Sequence, residues 1–218
     1  MSDAGETQKL RVAVMASGGG TNLQKLLDRF PDRNSSSAHA RVVLVVTDRP
    51  GAGSLDRATK AGVATEIVPP ADFDSQEGFG RRLLELFEER GVGLVVLAGY
   101  LKMVPPNVVA VYSNRMINIH PALLPSFGGR GMYGRRVHEA VIASGAKLSG
   151  PTVHFINEEY DRGPIIAQSA VPVFHEDTPE ELAARVLEKE HELLPEVVGL
   201  IASGRVEVVE GRVKLREE

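Results

Sequence analysis

An amide and an imidazole lie two residues apart near the middle of the chain, at the end of a short apolar run. The run Met116–Ile119 predicts a β-strand, and side chains two apart on a strand share a face, so Asn118 and His120 should lie side by side. An amide can stabilise a developing oxyanion and an imidazole can move a proton, which is what acyl transfer requires. The spacing alone leaves a structural role as an equal alternative. Pro121 and Pro125, which restrain the chain just after the pair, favour a constructed site.

A run of three glycines, within Ser17–Asn22, follows the apolar run Leu10–Ala16 and precedes a predicted helix. Backbone N–H groups at such a junction can bind an anion, and a tight turn with positive φ is the alternative explanation. A dinucleotide-binding fingerprint requires a third glycine where Leu23 stands, and a P-loop requires a following Gly-Lys-Ser/Thr. A monophosphate therefore fits this loop better than a dinucleotide.

The length and composition restrict the class of protein that can carry these residues. At 218 residues, with 43% hydrophobic and 25% charged residues, the chain is predicted to form one globular domain over residues 1–218. The absence of cysteine excludes disulfides, thiolate zinc sites, iron–sulfur clusters and cysteine nucleophiles. A net charge of −4 argues against nucleic acid as a partner but allows a local site for an anion.

No apolar run reaches the roughly 18 residues that a membrane-spanning helix needs. The polar tail Met1–Lys9 also lacks the apolar core of a secretory signal. We therefore expect a cytoplasmic protein with small-molecule substrates and no membrane partner, as a monomer or homodimer. No cluster of His, Asp and Glu has the spacing of metal ligands, so we expect no metal requirement.

Strands and helices are predicted to alternate over the first 120 residues, which indicates an open, doubly wound, mostly parallel α/β sheet with helices on both faces. In such sheets ligands bind outside the carboxyl ends of the strands, so the loops that follow strands are the places to look for a site. The predicted strands are Leu10–Ala16, Ala40–Thr47, Thr65–Val68, Leu94–Ala98 and Met116–Ile119, and the helices lie near Asn22, Ser54–Ala61, Ser75–Arg90 and Pro105–Tyr112.

The remaining hundred residues predict an antiparallel or mixed extension of that sheet. After a helix at Arg135–Ser144, the segments Pro151–Ile156 and Ile165–Val173 alternate in polarity, which predicts two half-exposed strands. Thr178–Glu181 has the pattern of a capping box with proline at the first helical position, and it should begin a long helix. Residues 205–216 predict a terminal hairpin.

Five sequence blocks occur in a recognisable order. They are Ser17-Gly-Gly-Gly-Thr-Asn22, Leu97-Ala-Gly-Tyr100, Asn118-Ile-His-Pro-Ala-Leu-Leu-Pro125, Thr152-Val-His154 and Asp161-Arg-Gly-Pro164. From about residue 10 to residue 204 the chain thereby resembles the phosphoribosylglycinamide formyltransferases, a folate-dependent family of purine synthesis. The resemblance implies a Rossmann-like formyltransferase fold. It also implies transfer of a formyl group from 10-formyltetrahydrofolate to the amine of phosphoribosylglycinamide, with N10 as the leaving group.

The resemblance assigns the catalytic roles. Asn118 would bind the formyl oxygen, His120 would act as the general acid, and Asp161 would favour the cationic form of His120 and relay protons through water. His154 would lie near these groups. From the residues alone, Asp161 is one of three acids in a turn and His154 fits a core histidine equally well.

The resemblance also assigns the substrate contacts. Gly20, Thr21 and Asn22 would bind the phosphate, and Glu190 would contact the ribosyl hydroxyls or the glycinamide portion. Without the resemblance, Glu190 is better explained as a solvated charge on a helix.

For the folate, the resemblance implies two walls. One wall is Leu101, Lys102, Met103 and Val104, and the other is Asn118 with Asn157, Glu158, Glu159, Tyr160 and Asp161. Two positions depart from the family: Lys102 stands where Arg is common, and Gln76 stands where an Arg often lies near the folate tail. The glycine-rich segment Phe127–Gly134 is expected to close over the bound substrates.

Three other functions compete with this interpretation. In formyltetrahydrofolate deformylase water replaces the amine, and that family carries an N-terminal regulatory domain before the part that resembles this chain. Methionyl-tRNA formyltransferase needs an added C-terminal domain, whereas only a hairpin is predicted after Gly204. A non-catalytic nucleotide-binding module would explain the glycine loop but leaves Asn118, His120 and Asp161 without a purpose.

Overall fold

The computed structural model describes residues 9–31 and 39–216, so all of the predicted polar tail except Lys9 lies outside the described residues. The strands are β1 Leu10–Met15, β2 Ala40–Thr47, β3 Ala64–Ile67, β4 Leu94–Leu97, β5 Met116–His120, β6 Leu148–Ser149, β7 Thr152–Phe155, β8 Ile165–Gln168, β9 Val171–Pro172, β10 Val206–Val209 and β11 Arg212–Leu215. The helices are α1 Thr21–Arg29, α2 Gly53–Lys60, α3 Gln76–Glu89, α4 Pro106–Val111, α5 Arg135–Ser144 and α6 Pro179–Ala202.

The central sheet has seven strands in the order β3-β2-β1-β4-β5-β7-β8. Neighbours from β3 to β5 run parallel, whereas β7 pairs antiparallel with both β5 and β8. The strand order reverses direction between β1 and β4, and the crevice at the carboxyl ends of such strands is where open α/β sheets bind ligands. The predicted doubly wound, mostly parallel sheet with an antiparallel extension is confirmed, and β10 and β11 form the predicted hairpin.

Two hydrophobic layers cover the sheet, and the alternation of side chains along each strand explains them. On β1, Val12 and Val14 face a layer that includes α1 and α6, while Ala13 and Met15 face a layer that includes α3 and α4. All four side chains are fully buried, as expected for a central strand of a parallel sheet. This packing holds the carboxyl ends of the neighbouring strands β1, β4 and β5 side by side. None of the helices in the described ranges is long and apolar enough to cross a membrane.

Two predictions about the antiparallel extension are wrong. The predicted strand over 165–173 is two strands, since β8 pairs with β7 while β9 pairs with β6. The chain changes partner at Ser169, where its carbonyl passes so close to Gly150 that a Cβ on this glycine would lie 1.8 Å from the oxygen. In addition, β7 is buried along its whole length rather than half-exposed, because it lies between β5 and β8 in the interior of the sheet.

The long helix α6 begins at the predicted capping box, which gives a stability prediction. Thr178 Oγ1 accepts a hydrogen bond from the Glu181 N–H at 3.3 Å, and Glu181 Oε2 accepts one from the Thr178 N–H at 2.8 Å. Thr178→Ala should lower the free energy of unfolding by about 0.5–2 kcal/mol, because it leaves a helical N–H without its cap. Urea denaturation measures this change. Thr59→Ala, at an exposed position inside α2, is the control; an equal loss in both variants would contradict a role for the cap.

Candidate active site

A cavity of about 870 Å³ opens at the carboxyl ends of β4 and β5, beside Asn22 at the start of α1. Its walls come from the ends of these strands, from the segments after β4, β5 and β7, and from α5 and α6. Asn118, His120, His154 and Asp161 all line it. The pair predicted from strand spacing and the two groups assigned by resemblance therefore lie around one space.

The pairing of β5 with β7 holds Asn118 directly opposite His154. His154 Nδ1 lies 2.8 Å from the Phe155 carbonyl oxygen, which can only accept, so this nitrogen carries the proton. Nε2 of the neutral ring is then the acceptor for Asn118 Nδ2 at 3.2 Å. Burial lowers the pKa of His154, and the Phe155 carbonyl and Asp161 oppose this only in part. One N–H of the Asn118 amide is thus fixed by His154, which orients the amide and leaves its second N–H for a ligand.

Asp161 lies between the two buried imidazoles. Its Oδ2 is 3.7 Å from His120 Nδ1 and its Oδ1 is 3.7 Å from His154 Nε2, distances at which the attraction is electrostatic rather than a hydrogen bond. The backbone N–H of Gly129 donates to Asp161 Oδ2 at 2.8 Å. This bond joins the carboxylate to the glycine-rich segment Phe127–Gly134.

His120 is also held from its other side. Its Nε2 lies 2.9 Å from the carbonyl oxygen of Phe127, to which it donates a proton. Phe127 and Asp161, which flank this imidazole, both have positive φ, at 56° and 54°. Non-glycine residues in this conformation are strained, and such residues are concentrated at functional sites. The segment Phe127–Gly134 therefore contacts His120 and Asp161 directly, and its closure over substrates stays a prediction.

The glycine loop after β1 contains a turn with positive φ at Gly20. Gly20 has φ +71° and caps α1, and a Cβ there would come within 2.8 Å of the Ser54 backbone, so only glycine fits. The first N–H groups of a helix have no partner within the helix and attract an anion. Asn22 lines the cavity beside this turn, whereas Gly20 and Thr21 lie outside its lining.

Glu190 is buried, contrary to what the residue pattern alone indicated. It is 9% exposed because α6 packs on α1, and its Oε2 accepts a hydrogen bond from Asn22 Nδ2 at 2.6 Å. Burial raises the pKa of Glu190, and the bond from Asn22 offsets part of that rise. Asn22 Oδ1 is also buried and has no partner among the described residues. These acceptor groups suit a ligand that donates hydrogen bonds, such as a sugar hydroxyl.

The two walls assigned to the folate both line this cavity. The first wall contains Leu101 and Met103, which are half exposed, together with Lys102, whose Nζ lies 3.9 Å from Asp48 Oδ2. The second wall runs from Asn157 to Asp161. Gln76, at the start of α3, is exposed and does not line the cavity.

Two side chains at this cavity were missed by sequence reasoning. His138 of α5 and Tyr100 after β4 are buried and line the cavity. Within the described residues, His138 Nδ1 and the Tyr100 hydroxyl have no hydrogen-bond partner. His138 lies between Val137 and Val141 on the buried face of α5, so its position in the sequence indicates a core residue. No group of three or more potential metal ligands occurs in residues 9–31 and 39–216, and the absence of a metal requirement stays a prediction.

An oriented amide, an imidazole and a carboxylate at the carboxyl edge of a doubly wound sheet are groups that the transfer of an acyl-type group can use. The chain matches the family described as Formyl transferase over residues 10–198. It therefore belongs to the formyl transferase family.

The similar proteins include both transferases and a hydrolase. The chain is 46% identical to phosphoribosylglycinamide formyltransferase, chloroplastic, of Arabidopsis thaliana over 211 aligned residues. The aligned region covers 96% of this chain and 71% of that protein. It matches the crystal structure of glycinamide ribonucleotide transformylase 1 from Symbiobacterium toebii with a TM-score of 0.87 and 39% identity, covering 96% and 95% of the two chains. It also matches a formyltetrahydrofolate deformylase from Pseudomonas syringae with a TM-score of 0.84 and 27% identity, covering 97% of this chain and 67% of that one. The fold alone therefore does not distinguish amine from water as the acceptor.

Proposed function

We propose that this chain transfers the formyl group of 10-formyltetrahydrofolate to the amine of phosphoribosylglycinamide, a step of purine (IMP) biosynthesis. The observation that carries the proposal is that Asn118, His120 and Asp161 lie in one cavity, which the start of α1 and the segment after β4 also line. The high identity to the Arabidopsis formyltransferase supports amine as the acceptor. The expected cytoplasmic location and the oligomeric state stay predictions, and the name of the Arabidopsis relative refers to the chloroplast.

Asn118 stabilises the charge that develops on the formyl oxygen. As the acceptor nitrogen forms its bond to the formyl carbon, the carbonyl oxygen becomes an oxyanion. The Asn118 N–H that is not bonded to His154 donates to it. Because the neutral His154 ring already holds the amide, little reorganisation is required when the charge appears. His154 thus acts through Asn118 as a positioning residue.

His120 and Asp161 handle the protons. The bond between the formyl carbon and N10 breaks as N10 receives a proton from cationic His120, and the carboxylate of Asp161, 3.7 Å away, stabilises that cation. The nitrogen that has attacked must release a proton, which returns to His120 through Asp161 and water. The tetrahydrofolate leaves with its N10–H formed, and the acceptor nitrogen becomes a formamide.

The other groups hold the two substrates. The phosphate binds at the Gly20, Thr21 and Asn22 backbone, where the N-terminus of α1 supplies positive potential without a basic surface. Glu190 and Asn22 Oδ1 accept hydrogen bonds from the ribosyl or glycinamide portion. The pterin lies between Leu101–Val104 and Asn157–Asp161.

An absorbance assay with 10-formyl-5,8-dideazafolate tests the proposal. Loss of the formyl group should be observed only when phosphoribosylglycinamide is present. Turnover with the folate alone would indicate a hydrolase of the deformylase type. No turnover, together with tight binding of NAD or ATP by titration, would favour a nucleotide-binding module.

A further inference from the structure

His138 is a buried imidazole to which the proposed reaction assigns no role. The residue is 5% exposed, lies on α5, and lines the same cavity as Asn118 and His120. Its Nδ1 has no hydrogen-bond partner within the described part of the chain. Buried polar groups in folded proteins are nearly always paired, so an unpaired nitrogen beside a substrate cavity requires an explanation.

His154, a histidine of this site that can be compared with His138, has hydrogen bonds that hold its ring and its neighbour in place. Both of its nitrogens are engaged, one with the Phe155 carbonyl and the other with Asn118. Among the residues that the structure describes, His138 Nδ1 has no such partner. The residue lines the same cavity as His120, whose charge lowers the pKa of His138. Its position is therefore better explained by a role in binding a ligand or accepting a proton than by a role in stabilising the fold.

The surroundings of His138 keep its ring neutral. Burial lowers its pKa, and the charge of His120 on β5 lowers it further. On α5 itself, Arg135 is paired with Glu139 and with Glu180 of α6, so this cation is already neutralised. The other acid that α6 contributes to the cavity is Glu190, which is bonded to Asn22. At neutral pH the ring is thus in the form that can accept a proton.

The proposed reaction needs such a group. An α-amine has an ordinary pKa of about 8, so the acceptor arrives mainly as an ammonium ion, which has no lone pair for attack. Because His120 must be cationic to act as the acid, it cannot also take this proton. We propose that His138 takes the first proton from the acceptor ammonium, an inference that rests on the proposed function.

The protons balance over one turnover. The N–H bond of the ammonium breaks and its proton moves to His138, which leaves a neutral amine. That amine attacks the formyl carbon. The attacking nitrogen then loses a second proton, which returns to His120 and replaces the proton that His120 gave to N10. His138 then releases its proton to solvent, so the net products are the formamide, tetrahydrofolate and one proton.

Two variants test this role. His138→Gln and His138→Asn keep a polar side chain but cannot take up a proton, and kcat/KM for the acceptor is measured at saturating folate analogue. Near neutral pH we expect a loss of about tenfold, because only about a tenth of an amine with a pKa near 8 is neutral at pH 7. His175→Gln, whose side chain is 92% exposed, is the matched control and should retain wild-type kinetics.

The pH dependence separates a proton acceptor from a structural residue. The variants can use only the acceptor that is already a neutral amine, so their deficit should shrink about tenfold per pH unit up to about pH 8, the ordinary pKa of an α-amino group. A structural role for His138 would leave the deficit the same at every pH. Such a constant deficit, or no deficit, would overturn the inference.

A further measurement avoids dependence on the folding of the variants. In ¹⁵N-histidine NMR of the unmodified protein, binding of phosphoribosylglycinamide with an unreactive folate analogue should perturb a buried imidazole other than His120 and His154. No such perturbation would overturn the inference. If the wild-type protein itself fails to transfer the formyl group, the proposed function fails; if the wild type is active and the variants match it, only the role of His138 fails.

Discussion

Asn118→Ala is expected to lower kcat for formyl transfer by about 10²–10³-fold, the usual effect of removing one oxyanion donor. The charge that develops on the formyl oxygen would lose its hydrogen bond from the Asn118 N–H that is not bonded to His154. Because this hydrogen bond strengthens mainly in the transition state, the loss should appear in kcat more than in KM. Steady-state kinetics with both substrates varied measures the two effects separately.

Two further variants make the test specific. Asn118→Asp has nearly the same shape but presents an acceptor to the oxyanion, so it should be at least as impaired as the alanine variant. Asn107→Ala removes an amide that lies outside the cavity lining and bonds to the Glu77 carbonyl on α3, and it should keep normal kcat. Wild-type kcat in Asn118→Asp would contradict the assignment of Asn118 as the oxyanion donor.

His120→Ala is expected to lower kcat by about 10²–10⁴-fold, because N10 would have to leave without a proton from a positioned acid. The same variant removes the partner that Asp161 faces at 3.7 Å. Asp161→Asn should therefore cause a smaller loss in the wild-type background and little additional loss in His120→Ala, since the two groups act together. Single-turnover measurements distinguish this loss of chemistry from slower product release.

The control for this substitution is His175→Ala, which removes an exposed imidazole outside the cavity lining. Circular dichroism is used to check that both proteins remain folded. Full activity of the His120→Ala variant would remove His120 from the mechanism, whatever the geometry around it.

Elements with strong local signals were predicted correctly. The apolar runs of β1 and β2 indicated strands buried on both faces, and the capping box of Thr178 marked the start of α6. The spacing of Asn118 and His120 predicted that both would face one side, and both line the cavity. In each case the information lies within a few neighbouring residues, where periodicity and capping act.

Features that depend on distant contacts could not be predicted in this way. The break between β8 and β9 follows from the close passage of Ser169 over Gly150, and the burial of β7 follows from its place between two other strands. Alternation within a strand does not reveal how many neighbours the strand will have. Local polarity therefore gave the wrong exposure for β7.

The same limit applies to two charged or polar side chains of the site. Glu190 has the sequence environment of a solvated helical charge, and only the packing of α6 on α1 brings it against Asn22. His138 resembles a core residue between two valines, and only the fold brings it to the cavity that His120 also lines. The resemblance to a known family identified Glu190, and the structure was needed to find His138.

The central claim is that one formyl group passes from folate to an acceptor amine in the cavity that holds Asn118, His120 and Asp161. A single-turnover reaction with folate carrying a ¹³C-labelled formyl group, followed by NMR, tests it most directly. We predict that the label appears in the formamide of phosphoribosylglycinamide, and that the Asn118→Ala and His120→Ala proteins form this signal far more slowly. Label recovered as free formate, or formed at the same rate by the variants, would contradict the account.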